Sequence, residues 1–333
     1  MDTSNMTSVQ SWVGIDVSKD KLDACLLRPV GKPLWQVFKN DPNGHNKLLR
    51  WVDHNAPGVK LHFCMESTGT FSQGIALFLA EAGHIVTVAN PHLVRHYGFA
   101  QGIGNKTDPV DAHTIADYCR TQRPAPWRMS SAEVRVLVAL LRRCSNLQEH
   151  LHQEKNRLGE SGLVKDVQRS LKRSIRFIET DMQQLQKQIQ QHIDSNPKLK
   201  KDKELLESIP GIGDLTALWI LAELPDVTQF SSADAAAAYA GVNPRVYTSG
   251  KSVRKRTRIS KRGNARLRRA LYMPALAAAK YNPFCRNLYE RLTARGMAKK
   301  AAICAVMRKL LMIAFGVLKS QTMFIQPATE MAT

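Results

Sequence analysis

The sequence predicts an α/β plus α protein in four segments. A mixed sheet of ribonuclease H type spans residues 1–129, and a helical hairpin or coiled coil spans 130–198. A mainly helical segment follows over 199–323, and 324–333 reads as a disordered tail. Three observations carry this reading. Three apolar runs of strand length come first and are followed by alternating helical and strand patterns, the ordering of a mixed sheet covered by helices. Between residues 130 and 196, apart from Gly159 and Gly162, neither Gly nor Pro interrupts a helical apolar period. The last third sets helical patterns around a dense run of Arg and Lys.

Taken in order, the runs 12–17, 22–27 and 34–38 predict strands, and 45–52 predicts a helix. A strand over 60–66, a helix over 73–82, a strand over 84–89 and a helix opening near Asp108 complete the first segment. In the second, Leu171, Ile175, Ile178, Met182, Leu185 and Ile189 are spaced by fours and threes, a heptad seam. An intramolecular hairpin bending between Gly159 and Gly162 satisfies that seam, and so does a dimerising coil. The third segment opens on Pro210-Gly211-Ile212-Gly213 and contains helical patterns over 233–240, 266–279 and 299–318. The glycine turn resembles a helix-hairpin-helix turn, whose backbone N–H groups hold phosphate, although such turns also serve packing alone.

At 333 residues with 44% hydrophobic content, the chain is long enough for two or three domains with their own cores. Lys and Arg number 48 against 28 Asp and Glu, a net charge of +20, which calls for a polyanionic partner. No apolar run reaches the roughly 18 residues of a membrane span. The most apolar stretch, 301–318, is broken by Arg308 and Lys309, and the N-terminus lacks a signal-peptide layout. A cytoplasmic protein with no membrane partner is therefore expected. Six cysteines without a C-x-x-C pair signal neither a zinc site nor a disulfide framework, so reduced, buried thiols are expected.

Four acids stand where metal-dependent nucleases place theirs. Asp16 lies in Gly14-Ile15-Asp16-Val17-Ser18 within the first predicted strand, and Glu66 ends a later one in Met65-Glu66-Ser67-Thr68-Gly69. Asp108 and Asp111, three apart in Thr107-Asp108-Pro109-Val110-Asp111, share one face of a helix start. Four converging carboxylates repel one another and need cations to stay ionised together. Two Mg2+ ions about 3.5–4 Å apart meet that need and suit phosphodiester chemistry. Taken singly, Asp16 is also compatible with a turn. Asp108 as N-cap, Pro109 at N1 and Asp111 at N3 also describe an ordinary helix start.

From Arg245 to Arg269 the chain is basic without a single acid: Arg245, Lys251, Arg254, Lys255, Arg256, Arg258, Lys261 and Arg262 lead the run. Bound phosphate relieves such self-repulsion, and a solvated face is the plainer alternative. Within it, Tyr247-Thr248-Ser249-Gly250-Lys251-Ser252 reads on its residues alone as a turn at Ser-Gly.

The order Asp, Glu, Asp-x-x-Asp, with Gly-Ile-Asp-Val-Ser, Glu-Ser-Thr-Gly-Thr and Asn105-Lys-Thr-Asp-Pro-Val-Asp-Ala, resembles the DEDD transposases of bacterial insertion sequences. That family is related to the pilin-gene invertase, and the resemblance runs from about residue 12 to 320. It implies a RuvC-like catalytic domain that cuts and rejoins DNA, and guidance by a bridge RNA. The family's Tyr-x-Ser-Gly-x-Ser-Val-Arg context falls on Tyr247 to Arg254, which implies that Ser249 attacks DNA and becomes a phosphoserine. Lys251 and Arg254 are then placed to hold the scissile phosphate, and Tyr247 and Ser252 are the local rivals as nucleophile. The resemblance also implies an active site shared between protomers of a homo-oligomer, a dimer or a tetramer.

Two other readings fit the residues: a structure-specific nuclease of junction-resolvase type using the four acids alone, and a non-catalytic basic nucleic-acid-binding protein. The serine segment separates the recombinase from the nuclease, because pure hydrolysis has no use for a covalent intermediate. Neither zinc-finger spacing nor a recognition-helix module is legible, which leaves the target sequence without an obvious protein reader, a gap that the guide RNA implied by the resemblance would fill.

Overall fold

The structure is a computed structural model that describes residues 10–69, 71–104, 107–127, 129–224, 226–249 and 253–325, without the side chains of 246–249 and 253–256. It divides into two compact units, Met1–Met129 and Ser130–Thr333.

The first unit is built on strands β1 (Ser11–Val17), β2 (Lys21–Leu27), β3 (Leu34–Lys39), β4 (Leu61–Glu66) and β5 (Ile85–Ala89). Their order in the sheet is β3-β2-β1-β4-β5. β1, β2 and β3 pair antiparallel, whereas β4 runs parallel to β1 and β5 parallel to β4. Helices α1 (Pro42–Asn55), α2 (Phe71–Glu81), α3 (Pro91–Ala100) and α4 (Asp108–Gln122) make the connections and the cover. Period-two alternation decides which face each side chain takes. Val13, Ile15, Leu22, Ala24, Leu26, Phe63 and Met65 point to one face, where Leu48 and Val52 of α1 and Ile75 and Leu79 of α2 seal the main core. Each fully buried Val, Leu, Ile, Phe or Met side chain among them contributes about 1.5–3 kcal/mol.

The opposite face belongs to α4. Cys25 and Leu27 pack with Ala112 and Ala116, and Cys64 packs with Ile115 and Cys119. Small residues allow the close approach: a Cβ on Gly14 would stand 2.2 Å from the Ala112 carbonyl oxygen and 2.3 Å from the Ala116 nitrogen. At the far end of this face His62 is buried and meets Thr87 Oγ1 through Nε2 at 2.8 Å. Thr87 donates to the Ala125 carbonyl at 3.0 Å, so the imidazole is the donor to Thr87.

The second unit contains α5 (Ala132–Leu158), α6 (Lys165–Asp194), α7 (Pro197–Glu207), α8 (Asp214–Glu223), α9 (Ala233–Ala240), α10 (Ala265–Ala270), α11 (Tyr272–Tyr281), α12 (Pro283–Ala294) and α13 (Lys299–Ser320). α5 and α6 form a helical hairpin through Leu147, Leu151, Ile175, Ile178 and Met182. The connection turns at Gly159 and at Gly162, whose φ is +82°. The other ends of both helices, at Leu137, Leu141, Ile189 and Ile193, join the large core of α7 to α13. Glu223 is buried in this unit and is held by Arg142 Nε at 3.0 Å and by Asn264 Nδ2 at 2.8 Å.

Three expectations change. The segment read as mainly helical also carries a β-hairpin, β6 (Pro244–Ser249) with β7 (Val253–Ile259), in its most basic stretch. Helix α13 does reach membrane-span length and apolarity, because Arg308 and Lys309 leave the helical pattern on either side of them intact. It buries Ala302, Val306, Leu310, Leu311 and Ala314 in the unit's core, and Arg308 Nη2 pairs with Asp234 at 2.5 Å. Phe324, assigned to the tail, donates its N–H to Ser208 Oγ at 2.9 Å and packs on Phe284, while 326–333 lie outside the described residues. All six cysteines are free, and Cys25, Cys64, Cys119 and Cys285 are buried.

Candidate active site

The site is assembled by strand register. Asp16 and Asp23 are directly opposed across the antiparallel β1–β2 pair, so both side chains leave the sheet on one face. Gly14, two residues before Asp16, meets α4 on that face, which identifies it as the face that α4 covers. Ile15 is paired with Met65 in the parallel β1–β4 ladder, and this carries Glu66 into the row of Asp16. The alternation of β4 sends Cys64 to α4, and Glu66 follows on the same side. Three strand carboxylates therefore flank one another at one end of one face.

Helix α4 opens over that end. Thr107 takes the N-cap position and Asp108 is the first helical residue, so the expected assignment of Asp108 as N-cap is corrected. The Asp108 carboxylate is engaged from the sheet, where Lys21 Nζ of β2 bonds to Asp108 Oδ2 and also lies 3.0 Å from Asp23 Oδ2. Hydrogen bonds to Asp108 first, then to Asp23, hold the Lys21 ammonium protonated above the ordinary lysine range. Asp111, half-buried, is three residues further along the helix, and Ala112 and Ile115 beyond it pack on the sheet. Another acid of α4, Asp117, is engaged elsewhere: Tyr97 Oη donates to it at 2.5 Å and ties α3 to α4.

Asp16, Glu66, Asp108 and Asp111 are thus brought to one end of one face. Among the described residues, no three His, Cys, Asp or Glu side chains approach closely enough to hold a metal ion. The donor set is nonetheless that of a hard divalent cation, all carboxylate oxygen. Asp23, 2% exposed, keeps Oδ1 without a hydrogen-bond partner among the described residues. An orphaned anionic oxygen beside a lysine ammonium is the behaviour of a site that accepts cations.

In the second unit Ser249 ends β6, with its backbone paired to Val253, and Thr248 and Tyr247 are paired to Arg254 and Lys255. Lys251 lies outside the described residues, as do the side chains of Ser249, Arg254, Lys255 and Arg256. Arg245 and Arg258 are exposed cross-strand partners, a like-charge pairing that costs stability unless an anion bridges it. Lys261 and Arg262 are exposed just after β7. In the glycine turn, Gly211 has φ +103°, and a Cβ there would stand 2.7 Å from Ala278 Cβ, so this glycine serves packing against α11. Asp214 opens α8 and pairs with Lys203 at 2.8 Å, which places a carboxylate at the helix end a phosphate would use.

Comparison with known proteins decides the family. The model described as "Transposase IS116/IS110/IS902 family" matches residues 203–290, and a DEDD transposase model matches 13–161. The pilin gene-inverting protein of Moraxella bovis is 33% identical over 320 residues, 95% of this chain and 98% of that protein. The chain belongs to the IS116/IS110/IS902 transposase family. A protein of insertion element IS110 from Streptomyces coelicolor is 29% identical over 164 residues, 49% of this chain and 39% of its own. Among solved structures, RuvC of T. thermophilus in complex with a Holliday junction substrate aligns at 17% identity. That alignment covers 35% of this chain and 99% of RuvC with a TM-score of 0.27.

This transposase is therefore an enzyme of DNA recombination. The two family models match the two regions separately, since the DEDD transposase model spans all four acids and the IS116/IS110/IS902 model spans the basic hairpin. Sequence reasoning missed Lys21 and Asp23. Only the β1–β2 register places Asp23 against Asp16, and in sequence Lys21 looks like one more charge of the Ser18-Lys19-Asp20 turn.

Proposed function

We propose that this transposase is an insertion-sequence recombinase with a RuvC-like nuclease unit, whose Asp16, Glu66, Asp108 and Asp111 hold Mg2+, two ions when fully loaded. The observation that carries the reading is the register that sets Asp16 beside Glu66 under the N-terminus of α4, from which Asp108 and Asp111 extend. When bound, the ions polarise the scissile phosphate and stabilise the departing oxygen. Ser249 Oγ attacks phosphorus, the bond to one strand oxygen breaks, and the phosphoserine conserves the energy needed to rejoin a second strand. Arg245, Lys251, Arg254, Lys255, Arg256, Arg258, Lys261 and Arg262 neutralise the backbones of donor and target DNA and of a bridge RNA that selects them. The family resemblance implies a homo-oligomer, dimer or tetramer, in which different protomers contribute the acids and the serine. The α5–α6 hairpin supplies a long surface for coiled-coil pairing.

The test is a set of single substitutions, Asp16→Asn, Glu66→Gln, Asp108→Asn and Asp111→Asn, assayed for recombination, DNA binding and thermal melting. Each is expected to abolish recombination while leaving a folded, DNA-binding protein. If Asp108→Asn and Asp111→Asn lost only stability and kept activity, a structural role at the helix start would replace the metal reading. Mixing Asp16→Asn with Ser249→Ala protomers restores activity only when the site is shared.

A further inference from the structure

Two groups of the site remain without a role. Asp23 is 2% exposed, faces the same side as Asp16 from the opposed strand, and has an Oδ1 without a partner among the described residues. A buried carboxylate oxygen without a donor is costly, and a cross-strand pair of acids repels. The other group is Lys21, whose ammonium bridges Asp23 on the sheet and Asp108 on α4. Its side chain is 45% exposed, which leaves it room to leave.

We propose that Asp23 is a fifth carboxylate of the site, and that Lys21 is its resident counter-cation, joining Asp23 to Asp108 until a divalent cation takes the ammonium's place. The chemistry is an exchange of one cation for another, with no bond made or broken in the chain. It explains why a buried acid is left half-satisfied: the lysine supplies donors to Oδ2 from one side only, whereas a cation between the strands and α4 can draw on Oδ1 as well. It also gives a role to the lysine that ties the start of α4 to the sheet. The exchange rests on the proposal that Asp16, Glu66, Asp108 and Asp111 hold divalent metal.

The experiment is a titration of the full-length protein with Mn2+ alone, without nucleic acid, following free Mn2+ by electron paramagnetic resonance and thermal melting in parallel. Wild type is compared with Lys21→Met, Asp23→Asn and Asp16→Asn. Removing the resident cation by Lys21→Met is expected to lower the metal-free melting temperature, to tighten Mn2+ binding severalfold, and to allow Mn2+ to restore the lost stability. Asp23→Asn is expected to weaken Mn2+ binding by about 10–100-fold, the range seen when a partner of metal ligands is removed. Should Asp23→Asn fail to fold, Lys21→Met decides the matter alone. Unchanged Mn2+ affinity in Lys21→Met and Asp23→Asn, with Asp16→Asn impaired, overturns the exchange and leaves the four-acid site standing. Unchanged affinity in Asp16→Asn, or no binding by wild type, overturns the four-acid site and the exchange together.

Discussion

Gly14→Ala adds a single methyl group to β1, and the structure indicates how much that methyl disturbs. It would sit 2.2 Å from the Ala112 carbonyl oxygen and 2.8 Å from the Ala116 Cα, all backbone of α4 and unable to turn aside as a side chain does. Ordinary contact needs about 3.5 Å, so α4 has to lift from the sheet by about 1 Å. Overpacking of this kind costs about 1–3 kcal/mol, or about 4–12 °C in melting temperature for a unit of this size. The functional loss is expected to exceed the loss in stability. α4 carries Asp108 and Asp111, and a displacement of about 1 Å in a reacting constellation costs about a hundredfold in rate. The assay pairs thermal melting with recombination at a temperature where the variant stays folded. Gly74→Ala in α2 is the control, since a Cβ there meets only His45 Cε1 at 3.8 Å. Wild-type melting and activity in Gly14→Ala would refute the idea that close contact between β1 and α4 aligns the acids.

Four further outcomes follow from particular residues. His62 is pushed down to about 4 by burial, below its ordinary 6.5. The unfolded chain therefore binds the extra proton first, and stability held above pH 6.5 is lost as pH falls from 6.5 toward 4, by up to about 3 kcal/mol. His62→Gln should flatten that slope in pH-dependent melting, and an unchanged slope would assign it to other groups. Arg142→Met strands the buried Glu223 carboxylate and is expected to cost about 3–5 kcal/mol in chemical denaturation, whereas a loss near zero would mean that Asn264 satisfies Glu223 alone. Binding to duplex DNA should weaken with log K falling by about 0.9 per neutralised phosphate. Charge reversal at Arg245 and Arg258, the exposed cross-strand pair, should flatten that slope, and no change would make the pair a solvated face. RNA guidance predicts that altering the pairing segments of a copurifying RNA redirects the target, while recombination by RNA-free protein at an unchanged site contradicts it.

Alternation made the first unit legible. Val13, Ile15 and Val17 against Trp12, Gly14 and Asp16 define a strand with two unlike faces, and the observed β1 turns the first set into the main core and Gly14 against α4. Helix α3 escaped notice although Asn90-Pro91 carries its start signal, because Leu93, Val94, Tyr97 and Phe99 are too few to mark a helical stripe. The β6–β7 hairpin escaped for a different reason. β7 is rich in Arg and Lys and β6 carries few apolar residues, so neither strand shows a period-two pattern of apolar burial. The four acids stood out in the sequence as candidates because each lies near an element end with a short motif around it. Asp23 was not, because it lies mid-strand and acquires meaning only when β2 folds back to place it opposite Asp16. Lys21 depends on the same fold and also on α4, whose Asp108 is 87 positions away.

The central claim is that carboxylates of the first unit enable a nucleophile of the second to cut DNA. The most direct measurement is mass-spectrometric mapping of the protein–DNA adduct trapped in Mg2+, with wild type, Glu66→Gln and Ser249→Ala in parallel. The account predicts an adduct on Ser249 in wild type and none in either variant, with Glu66→Gln still folded and binding DNA. An adduct on Tyr247 or Ser252, or one on Ser249 that persists undiminished in Glu66→Gln, would contradict it.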